Sequence, residues 1–150
     1  MKKFSFPFQF LLKYREKKED RLRKELAQLK RRLEKERENL EQLELDSMTN
    51  IRELGEKHQS KEIETAMILP YYSYLDNLLN QIKKQNRIVS DISQEMERKR
   101  KEVMEASKEK KIIKKLKERK WAEFVHERER VEQNFIDEIA LTNFRSKNSL

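Results

Sequence analysis

SDISQEMERKRKEVMEASKEKKIIKKLKERKWAEFVHERERVEQNFIDEIAL, residues 90 to 141, contains neither glycine nor proline and is dominated by Glu, Lys, Arg, Leu and Gln. Nothing in it punctuates the backbone, so it reads as one uninterrupted helix, and the same holds from Pro70 to the C-terminus. Apolar residues recur along this helix at Leu75, Leu78, Ile82, Val89, Ile92, Met96, Val103, Ala106, Ile113, Phe124 and Val131, all in one 3,4-alternating heptad frame. Such a stripe is too narrow for a globular core and wide enough for one partner helix.

The N-terminal half supplies that partner. From Leu12 a second seam runs through Leu22, Leu26, Leu29, Leu33, Leu40 and Leu43, with Arg15, Glu19 and Glu36 at positions that would ordinarily be apolar. These charges weaken the pairing locally and make it selective. Between Leu45 and Leu54 the apolar residues leave the frame and Gly55, the sole glycine, follows, so a bend or loosened supercoil is expected there. Lys61–Leu69 can be helical until Pro70, whose ring pushes the preceding residue out of the α region. The expected fold is therefore all-α. Two long helices form an antiparallel coiled-coil hairpin, a single unit over 1–150: helix 1 over about 7–54, a tip over about 55–74, helix 2 over about 75–143 and a frayed tail at 144–150. Pro7 suits a first helical turn, and the alternating Phe4, Phe6, Phe8 and Phe10 have no second strand to pair with.

Charge and composition limit the functions available. Charged residues make up 43% of the 150-residue chain and hydrophobic ones 35%, too little apolar volume for a layered core. There is no cysteine, which fits a reducing compartment and excludes disulfides and thiolate metal sites. Met1–Leu12 imitates a secretory leader but contains Pro7 and Gln9 and lacks a small-residue cleavage site, so it is read as retained; no run approaches the ~20 apolar residues of a transmembrane helix. With one glycine, neither GxGxxG nor a P-loop can be written. Glu123 and His126 have the i, i+3 spacing of a di-iron ligand pair, but His58 supplies no second such motif, and two solvent-facing histidines are the simpler reading. No enzyme and no cofactor is expected.

Binding readings remain. Between Arg98 and Lys120 twelve Lys or Arg stand against four Glu, a local excess equal to the +8 of the whole chain. This segment could serve a generic coiled-coil scaffold, or an adaptor holding nucleic acid or anionic lipid, although a solvated basic face explains it as well and no base-reading set accompanies it. Tyr71, Tyr72, Leu75, Leu78 and Leu79 give the tip more apolar surface than a turn needs. At the other end Phe8, Leu11 and Leu12 should approach Trp121, Phe124 and Val125, beside Lys115, Lys117, Arg119 and Lys120. Two helix registers fit the frame. One sets Leu33 against Lys99. The other sets Leu33 against Ala106, Glu19 against Lys120 and Arg15 against Phe124, centres the turn at Leu69 and Pro70, and is preferred.

FPFQFLLKYREKKEDRLRKELAQL (Phe6–Leu29), ASKEKKIIKKLKERK (Ala106–Lys120) and EQNFIDEIA (Glu132–Ala140) resemble the FliJ family of the bacterial flagellar type III export apparatus, over nearly the full length. The resemblance is weakest over Asp46–Asn80. It implies a cytoplasmic, non-enzymatic protein of flagellum biogenesis and motility, peripherally associated with the inner face of the cell membrane and monomeric when alone. Like the stalk of a rotary ATPase, it would enter the export ATPase ring with its paired termini (Phe8, Leu11, Leu12, Lys115, Lys117, Arg119, Lys120, Trp121, Phe124) and promote ring assembly and activity. Its tip (Tyr71, Tyr72, Leu75, Leu78, Leu79) would engage the cytoplasmic domain of the export gate, a membrane protein. Export chaperones are further implied partners, and nucleic acid is not expected to be one.

Overall fold

The computed structural model describes residues 2–59 and 65–149, and the side chains of all of these except residues 65–67. Two helices account for nearly all of it: α1, Gln9–Gln59, and α2, Thr65–Asn148. Among the described residues there is no strand. The fold is an all-α helical hairpin, as the heptad pattern predicts. Its packing divides into two compact units, one of residues 1–20 with 104–150 and one of residues 21–103.

In the unit of residues 21–103 the helices run antiparallel. Glu25 meets Lys99, Glu36 meets Gln85 and Asn50 meets the backbone of Tyr71, so positions rise on α1 as they fall on α2. Leu22, Leu33 and Leu54 are buried from one side and Leu78, Ile92 and Val103 from the other. Leu26, Leu29, Leu40 and Leu43 are half-buried, continuing the 3,4 spacing. Polar seam residues are satisfied across the interface: Gln85 Nε2 donates to the Glu36 backbone oxygen (2.9 Å) and to its carboxylate. That bond holds the Glu36 carboxyl below its ordinary pKa, and the bond from Lys99 does the same for Glu25.

Between Leu45 and Leu54 most of the apolar residues leave the frame, as expected, but the seam itself keeps it. The seam continues through Ser47, Asn50 and Leu54, buried at 7%, 4% and 8% exposure, while Leu45, Met48 and Ile51 are turned outward. Asn50 is tolerated inside because its Nδ2 donates to the Tyr71 carbonyl at 3.1 Å. α1 also runs through Gly55, which has no positive φ and around which an added Cβ would meet nothing within 4 Å. Gly55→Ala should therefore raise stability by about 1 kcal/mol, the ordinary helix-propensity difference, read as a higher thermal midpoint.

Pro70 does not end a helix. It lies in the second turn of α2, where its missing N–H removes one intrahelical bond, and α2 takes in Leu69 and the region expected to form the far side of the tip. The turn centre expected at Leu69 and Pro70 is thus wrong; of the segment Lys61–Leu69, residues 61–64 lie outside the described residues and the rest is helical. At its other end α2 stays helical to Asn148, through most of the tail expected to fray.

The earlier reversal changes the register. With Glu36 at Gln85 and Glu25 at Lys99, Leu33 comes level with Ile92, so neither expected partner, Ala106 or Lys99, faces it. The preferred register is off by two heptads. A shift by whole heptads leaves the same side chains facing the seam, and for that reason the buried set follows the heptad frame although its pairing does not.

In the unit of residues 1–20 and 104–150 the helices are again antiparallel. Phe6, Leu12 and Ile113 form its buried cluster, with Phe4, Leu11 and Leu116 packed around them. Glu19 lies against Lys110, not Lys120, at 3.0 Å, and Arg15 Nη1 donates to the Glu109 carbonyl at 2.8 Å, not toward Phe124.

Candidate partner-binding site

Helix α1 begins at Gln9, after a turn in which the Gln9 N–H donates to the Phe6 carbonyl (3.2 Å) across Pro7. Pro7 presets such a turn. The residues ahead of it, 2–6, are non-helical, and this piece carries Phe4 and Phe6 to α2. Phe6 is buried; Phe4 packs edge-on to Trp121 at 5.1 Å and tilted to Phe124 at 5.5 Å, while Trp121 stacks on Phe124 at 5.7 Å. Three rings thus cover one another. Trp121 nonetheless keeps 50% of its surface exposed.

The structure assigns the contacts differently from the sequence expectation. Leu12 is buried against Ile113, two turns before Trp121, and Leu11 packs beside it. Phe8 is half-exposed, and its ring meets Phe6 at 5.9 Å. Coverage of Trp121 and Phe124 comes from Phe4, which sequence reasoning passed over. The alternation of Phe4, Phe6, Phe8 and Phe10 was its signal: it holds only while the chain is non-helical, and once α1 starts the ring of Phe10 swings out to 85% exposure.

Charge borders the cluster. Phe4, Leu12 and Trp121 line an open groove between the start of α1 and α2, together with two lysines, Lys114 and Lys117, and two glutamates, Glu16 and Glu118. Lys115, Arg119 and Lys120 are exposed on α2, Lys120 within 3.4 Å of Glu123. Not all of the basic segment is available to a partner: Lys99 bridges Glu25 and Glu102, and Lys110 is held by Glu19. A second open groove is lined by Phe124, Val131 and Phe135 with Lys2, Glu127, Arg128 and Glu132.

The expected tip residues fall into two kinds. Leu78 is core, at 3% exposure, and Leu75 is half-buried. Tyr71 and Tyr72 are engaged by the last turns of α1, Lys57 Nζ lying 4.6 Å from the centre of the Tyr71 ring and His58 Nε2 3.0 Å from the Tyr72 hydroxyl. Cation–π and hydrogen-bond contacts of this kind tie the helices together. Tyr72 and Leu79 keep about half of their surface exposed.

Two long antiparallel helices, with an aromatic cluster and a basic helix face in the unit that holds residues 104–150, define the chain as an all-α coiled-coil hairpin. The particular family follows from comparison: residues 4–149 match the family described as flagellar FliJ protein. The chain belongs to the FliJ family, a non-enzymatic component of the flagellar export apparatus. Comparison with curated proteins and with solved structures gives no match. No helix among the described residues is long and apolar enough to cross a membrane.

Proposed function

We propose that the protein acts as a stalk-like coiled coil at the cytoplasmic face of the export apparatus, binding the export ATPase ring through the unit that holds its termini and promoting assembly and activity of the ring. The half-exposed Trp121, held in place by Phe4 and Phe124 and flanked by Lys117, Arg119 and Lys120, carries this reading. An indole fixed at a rim of positive charge is the kind of side chain on which interface energy concentrates. Lys115, Lys117, Arg119 and Lys120 meet acidic loops of the ring subunits. Tyr72 and Leu79, the tip residues that keep exposed surface, are the contacts to the gate protein, and escort of export chaperones is a further role.

The test is stimulation of the export ATPase by the wild-type protein, by Trp121→Ala and by the charge reversal Arg119→Glu with Lys120→Glu, with melting temperatures measured alongside. Trp121→Ala should weaken binding by about 2 kcal/mol, roughly 30-fold, at nearly unchanged stability. Undiminished stimulation by both variants would place the ring-binding surface elsewhere.

A further inference from the structure

Between Glu38 and Gly55 helix α1 is arranged against its own hydropathy. Ser47 and Asn50 are buried in the seam, while Leu45, Met48 and Ile51 are 50%, 67% and 53% exposed. At 100° per residue the latter three share the side of α1 turned away from α2. Scattered exposed apolar residues are ordinary, but a stripe at i, i+3, i+6 facing water while the same turns bury polar groups leaves the stripe without a role in this fold. Gly55 lies on the same side one turn further on, with open space where a Cβ would be, so a partner backbone can approach closely there.

Its borders say what kind of partner fits. On the side of α1 that carries the stripe, Glu41 and Glu44 stand with the one cation between Glu38 and Gly55, Arg52, while Asp46 and Glu53 lie off it. Glu41 and Glu44 are exposed beside the stripe itself. We infer that the outward face of α1 around Leu45, Met48 and Ile51 is a docking surface for a basic amphipathic helix of a partner protein. Its apolar ridge lies along the three side chains and its Lys or Arg flanks meet Glu41 and Glu44. A helix laid on another helix reads i, i+3 and i+4 anchors, and the acidic border supplies orientation and on-rate. This surface is separate from the Trp121 cluster and from Tyr72, and does not depend on the function proposed above.

The probe is a labelled synthetic peptide of leucine and lysine, about 18 residues or five turns long, with leucines at amphipathic helical spacing. It is titrated against the full-length protein by fluorescence anisotropy. Wild type should bind it, less tightly as salt is raised, and Leu45→Gln with Met48→Gln should weaken binding about tenfold at unchanged melting temperature. Glu41→Lys with Glu44→Lys should weaken it as well. Equal affinity of the Leu45→Gln, Met48→Gln variant overturns the inference, as does equal binding of a shuffled peptide of the same composition, which would reduce the effect to net charge. Sedimentation of the protein alone gives the remaining arm: a wild-type dimer lost in the same variant would put a second copy on the stripe and overturn the basic-helix assignment.

Discussion

Lys110→Ala should destabilise the protein by about 2 kcal/mol, whereas Glu19→Leu should leave stability unchanged or raise it. The asymmetry follows from burial. Glu19 is 4% exposed at a seam position, and its carboxylate lies 3.0 Å from Lys110 Nζ, itself on the half-buried edge of α2. Removing the lysine takes a cation 3.0 Å away from a carboxylate that water reaches poorly, so the cost of burying that charge is offset less well. Replacing the carboxylate with leucine instead adds apolar area beside Ala106, a buried small residue on the facing helix, and leaves Lys110 able to reach solvent. Urea unfolding followed by helix signal separates the outcomes, since the midpoint should fall for the first variant only. A fall of equal size for both would mean that the pair contributes stability and not selectivity of pairing.

The seam charges, expected to make the pairing selective, each meet a particular group of α2: Glu36 meets Gln85, Glu19 meets Lys110 and Arg15 meets the Glu109 carbonyl. None of these partners could be named beforehand. Heptad spacing reports which side of a helix is buried, because that depends only on the 3.6-residue turn; it repeats every seven residues and so cannot tell one register from the next. The register is set by where the chain reverses, and there the sequence was read through Pro70. A proline in the second turn of a helix removes a single backbone bond, far less than one in the middle of a strand or a long helix interior would disrupt. Gly55 misled in the same direction, being helical and without positive φ. Ser47 and Asn50 were illegible as core for another reason: polarity argues against burial unless a partner is known, and the Tyr71 carbonyl that accepts from Asn50 depends on the register itself.

The terminal site was half legible. Trp121 and Phe124 on a basic helix face were visible in the sequence, and the family resemblance gave them a use. Their cover was not, because Phe4 reaches them from the piece ahead of α1, and heptad reasoning is silent on residues outside a helix. At the tip the sequence shows a cluster of apolar residues without telling surface from seam, and the helix pairing removes Leu78 into the core.

Leu33→Ala should cost about 3 kcal/mol, the largest single effect expected in the chain. Leu33 is 3% exposed, and the register sets it level with Ile92, also 3% exposed, so truncation empties the middle of a layer that only two helices supply. In a two-helix seam no third element can collapse into the gap, and the lost contacts are recovered only by moving one helix toward the other. Ile112→Ala, by contrast, trims a side chain 63% exposed on the outer face of α2 and should change stability by less than about 0.5 kcal/mol, although both residues are large aliphatics in helices of similar composition. The pair of variants separates burial from helix propensity, since alanine is the better helix former in both. The register itself is read from the same layer: cysteines placed at Leu33 and Ile92 should cross-link readily under mild oxidation, and cysteines at Leu33 and Ala106 should not. Efficient linking of the second pair would restore the register in which α2 lies two heptads further along α1, and with it a turn at Pro70.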